Sequence, residues 1–165
     1  EEFGSNSSTG AAGPMLLSVV SRVSMQHGLH EGQQFDRLAT SWCLSADNAH
    51  AIHPNYPERH EPRHAPLINE GPAVKVNGNQ RYATSARGLA HIRSIAESNG
   101  IPLQTFASRN NVPCGSTIGP ITATQLGIEA IDIGIPQLSM HSAREMCGAH
   151  DPLHLVSLMS AFLQR

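Results

Sequence analysis

The residues able to do chemistry fall in three places. Residues 45–55 read Ser45-Ala46-Asp47-Asn48-Ala49-His50-Ala51-Ile52-His53-Pro54-Asn55, a carboxylate followed closely by two histidines. Carboxylate oxygen and imidazole nitrogen are zinc-type ligands, and a histidine nearby can also face an oxyanion. The chain opens on the adjacent carboxylates Glu1 and Glu2. Adjacent side chains point apart, so one can bind a metal while the other faces a bound water and takes its proton. By itself such a pair also reads as ordinary surface. The third place is Met140-His141-Ser142-Ala143-Arg144-Glu145, where His141 follows a short apolar stretch and precedes a charged pair.

These groups need elements to position them. A helical apolar spacing covers 15–26, with Leu16, Val19, Val20 and Val23 on one face and Gly28 as its stop. A weaker helical piece covers 35–41. The apolar run 42–46 predicts a buried strand ending in Asp47. From His50 to Glu70 the four prolines Pro54, Pro57, Pro62 and Pro66 predict an irregular loop. His60 and His64 read as residues of that loop, not as ligands. His27, His30, His91, His150 and His154 read as surface or capping residues. Further strands are expected over 72–76, with Asn77-Gly78 as a turn, and over 103–108 and 128–133. Helices are expected over 84–98, from the turn at 115–119 to about Gly127, and over 153–163. Strands alternating with helices predict an α/β fold in three α/β/α layers around a mostly parallel sheet.

Composition narrows the function classes. The length of 165 residues suits one domain. A net charge of −2 argues against a nucleic-acid partner, which wants a basic stripe. No apolar run approaches the ~18 residues of a membrane span, and no leader pattern is visible, so no membrane partner is expected. Three cysteines without C-x-x-C spacing read as reduced thiols, which points to the cytoplasm. They also lack a specific His-Asn pattern for a thiol nucleophile. The glycine-rich turn lacks the order of a phosphate-cradling loop. A chain that opens Glu1-Glu2-Phe3-Gly4-Ser5 without an initiator methionine reads as part of something longer.

Six segments taken in order resemble the aspartyl aminopeptidase family of dinuclear zinc metallopeptidases. They are EEFGS at 1–5, SADNAHAIHPNY at 45–56, GPAVKVN at 71–77, QRYAT at 80–84, NNVPCGSTIGPI at 110–121 and PQLSMHSARE at 136–145. The resemblance implies removal of an N-terminal residue, typically Asp or Glu, from a peptide with a free N-terminus. It implies Glu1 as general base and Glu2, Asp47 and His141 as metal ligands. His50, Lys75 and Tyr82 fall on substrate-contacting positions. His53 falls where the tetrahedral intermediate is stabilised. Two zinc ions are implied per complete site, with Mn or Co able to occupy the same donors. A homo-oligomer is implied for the full-length enzyme. The family's His-x-Asp segment, its bridging Asp and its inserted dimerisation domain all lie upstream of the Glu-Glu pair and are not in this sequence. The resemblance therefore implies that 1–165 is the C-terminal portion of the catalytic domain, incomplete for catalysis by itself. The alternatives are a fold-retaining fragment without catalysis, and an aminopeptidase preferring neutral or apolar first residues.

Overall fold

A computed structural model describes residues 5–164. Helices α1 (Met15–Gln26) and α2 (Glu31–Thr40) lead into strand β1 (Trp42–His50). After a long loop containing a 3-10 turn at Pro57–Arg59 come β2 (Ala73–Val76), α3 (Ala86–Ser98), β3 (Gln104–Ala107) and α4 (Ile118–Leu126). The chain continues through β4 (Glu129–Leu138), β5 (Met146–Cys147) and α5 (Asp151–Leu163).

The strand order is β1-β4-β2-β3, with β5 added to β4. β1 and β4 run parallel from Trp42–Glu129 to His50–Gln137, and β2 and β3 run parallel from Ala73–Gln104 to Val76–Ala107. The two parallel pairs meet in a short antiparallel contact at Ala73–Gly134 and Val74–Ile133. The α/β fold with a mostly parallel sheet is the one the sequence predicts.

Strand alternation gives the sheet two unlike faces. Leu44, Val74, Ile131 and Ile133 point to one side, where Ile92, Ile95 and Ala96 of α3 and Leu158 of α5 close over them. Burying each large aliphatic side chain contributes about 1.5–3 kcal/mol. The opposite face carries Ser45, Asp47, Ala49, Ala73, Lys75, Asp132 and Gly134. Helix α4 packs on β1 and β4, and the sheet lies between it and the α3–α5 pair.

Two strands are longer than their apolar runs. β1 does not stop at Asp47 but continues to His50, and β4 continues through Gly134 and Pro136 to Leu138. Tertiary pairing supplies what local pattern lacks. A Cβ on Gly134 would sit 2.3 Å from the Asp47 carbonyl oxygen and 2.6 Å from the Asn48 carbonyl carbon, so only glycine lets the two backbones approach here. Pro136 falls between the β2 pairing, which ends at Gly134, and the β5 pairing, which begins at Gln137, where its missing N–H breaks no ladder. Gly134→Ala is expected to destabilise the chain by about 2–3 kcal/mol, because the obstacle is backbone and cannot swing aside. Urea denaturation checks this, and an unchanged midpoint would contradict the register.

The predicted helix over 15–26 has the bounds of α1. Its apolar stripe is mostly uncovered by the described residues: Leu17, Val19, Val23 and Met25 are exposed, while Leu16 and Val20 face an apolar cavity with Leu38, Trp42 and Phe162. Helix α2 starts four residues earlier than its apolar pattern. His30 caps it, its Nδ1 accepting from the Gln33 N–H while Gln33 Oε1 accepts from the His30 N–H. His91 is half-buried, stacking on Trp42 at 4.6 Å between ring centres.

Candidate active site

The polar face of the sheet converges on Lys75. Its side chain is the largest wholly enclosed in the fold, with the residue 2% exposed. Lys75 Nζ donates to Asp47 Oδ2 at 3.3 Å, and it stands 5.4 Å from the centre of the Tyr82 ring. The strands explain this placement. Asp47 lies opposite Gly134, Gly134 lies opposite Ala73, and Lys75 is two residues further along β2 on the same side. The small residues Ala73 and Gly134 leave the lysine stem a channel toward β1. Burial pushes the Lys75 ammonium below the usual lysine range, while Asp47, Asp132 and Cys114 pull it back. A carboxylate arriving beside it would meet a charge already stripped of water, where charge pairing is strong.

Asp47 Oδ1 accepts from the Asn48 N–H at 2.6 Å, and its side chain is 37% exposed. The carboxylate therefore keeps one side toward solvent. Tyr82 is buried against Ala49, Ala73 and Phe106, and Cys114 packs against the same cluster. Burial first, then Cys114, raises the phenol pKa, so Tyr82 stays a neutral hydrogen-bonding group.

His50 closes β1. Its imidazole is held below the usual histidine range by desolvation first, then by His60, Lys75 and His141, with Asp47 opposing. Those influences place His50, Lys75, Asp47 and His141 in one electrostatic neighbourhood. His141 occupies the turn between β4 and β5 in a left-handed conformation (φ +67°), its N–H donating to Glu145 Oε1 at 2.5 Å. His53 stands off in the loop after β1, its Nδ1 accepting from the Asn55 N–H and its ring 5.2 Å from that of Tyr56. It shares a cavity of about 370 Å³ with His50, Tyr56, Arg59, His60 and Met140. Glu1 and Glu2 lie outside the described residues.

Three neighbours were not singled out as site residues by sequence reasoning. His60 is a loop residue as predicted, but it is 9% exposed, and its ring packs edge-on to Phe106. Asp132 is wholly buried beneath Tyr82. Cys114 packs against the Tyr82 cluster. A signal existed for Asp132, since a carboxylate inside an apolar strand is seldom buried without dedicated donors.

Among the described residues no three His, Cys, Asp or Glu side chains converge as a metal cage. Asp47 and His141 are donors of the right chemistry for zinc, oxygen and nitrogen. Among the described residues no further donor joins them, so a metal held there would take its other donors from outside these residues.

The architecture is that of metalloaminopeptidase catalytic domains. It matches the cryo-EM structure of the Ape4 and Nbr1 complex with a TM-score of 0.91 and 43% identity, over 98% of this chain and 30% of that one. It matches the S. cerevisiae mApe1 dodecamer with a TM-score of 0.86 and 36% identity, over 100% of this chain and 36% of that one. The profile described as Aminopeptidase I zinc metalloprotease (M18) matches residues 1–163, and the chain belongs to this M18 family. A probable M18 family aminopeptidase 2 of Streptomyces coelicolor is 52% identical over 99% of this chain and 38% of its own length. One of the same name from Pseudomonas fluorescens is 49% identical over 98% of this chain and 37% of its own. The chain thus spans under two-fifths of the length of these curated relatives.

Proposed function

We propose that this chain is the C-terminal portion of a metalloaminopeptidase catalytic domain that removes an N-terminal Asp or Glu from peptides. The observation that carries the acidic preference is the buried Lys75 ammonium, held at Asp47 and roofed by Tyr82. Asp47 and His141, together with Glu2, would hold zinc; a complete two-ion site takes further donors, and Mn or Co suits the same atoms. When bound, the metal supplies a polarised carbonyl and a water of lowered pKa.

The residues supply the rest. Glu1 acts as general base, taking the proton from water and passing it to the leaving amine. Lys75 pairs with the side-chain carboxylate of the first substrate residue, and the Tyr82 ring shapes the wall beside it. His50 contacts substrate at the mouth. His53 donates to the oxyanion of the tetrahedral intermediate, a contact of the kind worth about a hundredfold in rate. A cytoplasmic setting goes with this reading, since Cys43, Cys114 and Cys147 are all free thiols. So does a homo-oligomeric full-length enzyme, given the dodecamer among the similar structures.

A second reading, a fold-retaining piece without turnover, draws on the lack of a three-donor metal cluster among the described residues. One experiment separates the two. Zinc content and hydrolysis of aspartyl, glutamyl and leucyl peptides are measured for this chain alone and joined to the rest of an M18 sequence. Metal-dependent release of Asp and Glu by the joined protein, abolished by EDTA and restored by zinc, is expected. Zinc binding without turnover in the joined protein would establish the second reading.

A further inference from the structure

We propose that Asp132 is the positioning residue of the acidic-side-chain pocket, clamping to β4 the two segments that carry Tyr82 and Cys114 and so fixing the wall against which Lys75 presents its charge. The inference rests on the aminopeptidase reading above and names what sets its selectivity.

Asp132 is 0% exposed, and both its oxygens are committed. Oδ2 accepts from the Ala83 N–H at 2.6 Å, and Oδ1 accepts from the Thr117 hydroxyl at 2.7 Å. The Asp132 N–H in turn donates to Thr84 Oγ1 at 2.9 Å. The Ala83 N–H lies in the planar peptide unit that joins Tyr82 to Ala83, so the first bond orients the Tyr82 backbone directly. Thr117 lies three residues beyond Cys114, which packs against the buried cluster of Ala49, Ala73, Tyr82 and Phe106. The tyrosine is therefore fixed at its backbone and flanked on its buried side by segments that meet on one carboxylate.

Two further observations show that the carboxylate is spent on this clamp. Ser45 lies directly opposite Asp132 in the β1–β4 register, yet its buried hydroxyl has no partner among the described residues. Both carboxylate oxygens go to the loops instead. At the start of α4, a Cβ on Gly119 would lie 2.4 Å from each of those oxygens, so the helix seats directly on them. Continuing the β2–β4 register by one residue sets Lys75 level with Asp132. The clamp thus lies on the same face of the sheet as the Lys75 ammonium, level with it.

The test compares binding of free L-aspartate and free L-leucine by calorimetry to the zinc-loaded protein in which this chain is joined to the rest of an M18 sequence, with circular dichroism confirming the fold of each variant. Asp132→Ala removes both acceptors and is expected to lower the preference for aspartate about tenfold, the scale of one charge-assisted contact misplaced. Asp132→Asn can accept from Ala83 N–H and donate to the Thr117 oxygen, so it is expected to keep the preference within about threefold. Thr117→Val, which removes only the hydroxyl, is expected to lower it about threefold. Should Asp132→Ala fail to fold, Thr117→Val and Asp132→Asn decide. Variants that lose thermal stability while keeping the wild-type preference would reduce Asp132 to a structural pin and overturn the proposal. A wild-type joined protein that binds zinc but does not favour aspartate would instead bring down the acidic-substrate reading, and the proposal with it.

Discussion

In the proposed full-length enzyme, Lys75→Met is expected to abolish a preference for acidic first residues, lowering kcat/KM for aspartyl peptides by about two to three orders of magnitude and leaving leucyl peptides within about threefold. The size follows from where the charge sits. A side chain 2% exposed has already lost its water, so the substrate carboxylate it attracts is not competing with solvent. Removing one partner of such a pair typically costs about 3–5 kcal/mol. Methionine has a similar length and no charge, so it fills the channel beside Ala73 and Gly134. The same substitution leaves folding stability unchanged or slightly raised, because a desolvated ammonium is replaced by an apolar chain while Asp47 keeps access to water. Parallel kinetics on aspartyl and leucyl peptides, with a melting curve, check both halves. Equal losses on both substrates would mean that Lys75 holds the site together without reading the first residue.

Asp47→Asn acts in the opposite direction on stability and through a different group. It preserves the shape that accepts the Asn48 N–H, but it removes the nearest anion from the buried Lys75. That leaves an enclosed cation with more distant compensation, at a cost of about 1–3 kcal/mol, reduced from the fully buried case because Asp47 is partly solvated. In the proposed site it also deletes an anionic metal ligand, and zinc affinity is expected to fall at least a hundredfold. Isothermal titration with zinc, set beside urea denaturation, distinguishes the effects. A stability loss with unchanged zinc affinity would remove Asp47 from the ligand set and leave it only as the counterion of Lys75.

The two substitutions together make a sharper test than either alone. One partner of the Lys75–Asp47 contact is enclosed and the other is half in solvent, so truncating them must give unequal results. A double variant carrying both changes should recover most of the stability lost in Asp47→Asn, since the uncompensated charge is gone.

Much of the secondary structure could be read along the chain because its signals are local. The spacing of Leu16, Val19, Val20 and Val23 needs only a window of one helix, and it returns the bounds of α1. The turn at Asn77-Gly78 ends β2 for reasons contained in two residues. The family resemblance was equally accessible, since short ordered segments are a property of the sequence alone. The start of α2 was local too, but a histidine paired with Gln33 does not present the usual capping pattern.

Other features had no local signal. Asp47 lies within a strand and not at its end because Gly134, far along the chain, lets β1 run on beside it. Nothing near Lys75 distinguishes it from a surface lysine; it is enclosed because β4 and the Tyr82 loop meet over it. Asp132 reads as one acid in an apolar run until Ala83 and Thr117 arrive to bond it. His60 is an ordinary loop residue until its ring packs edge-on to Phe106 of β3. Periodicity and turn chemistry depend on a few neighbouring residues, so the chain alone specified its helices, most of its strands and its likeness to a family. Burial and charge compensation depend on which strands come side by side, so only the folded sheet decided which lysine is desolvated, which acid answers it and which acid is spent holding the wall.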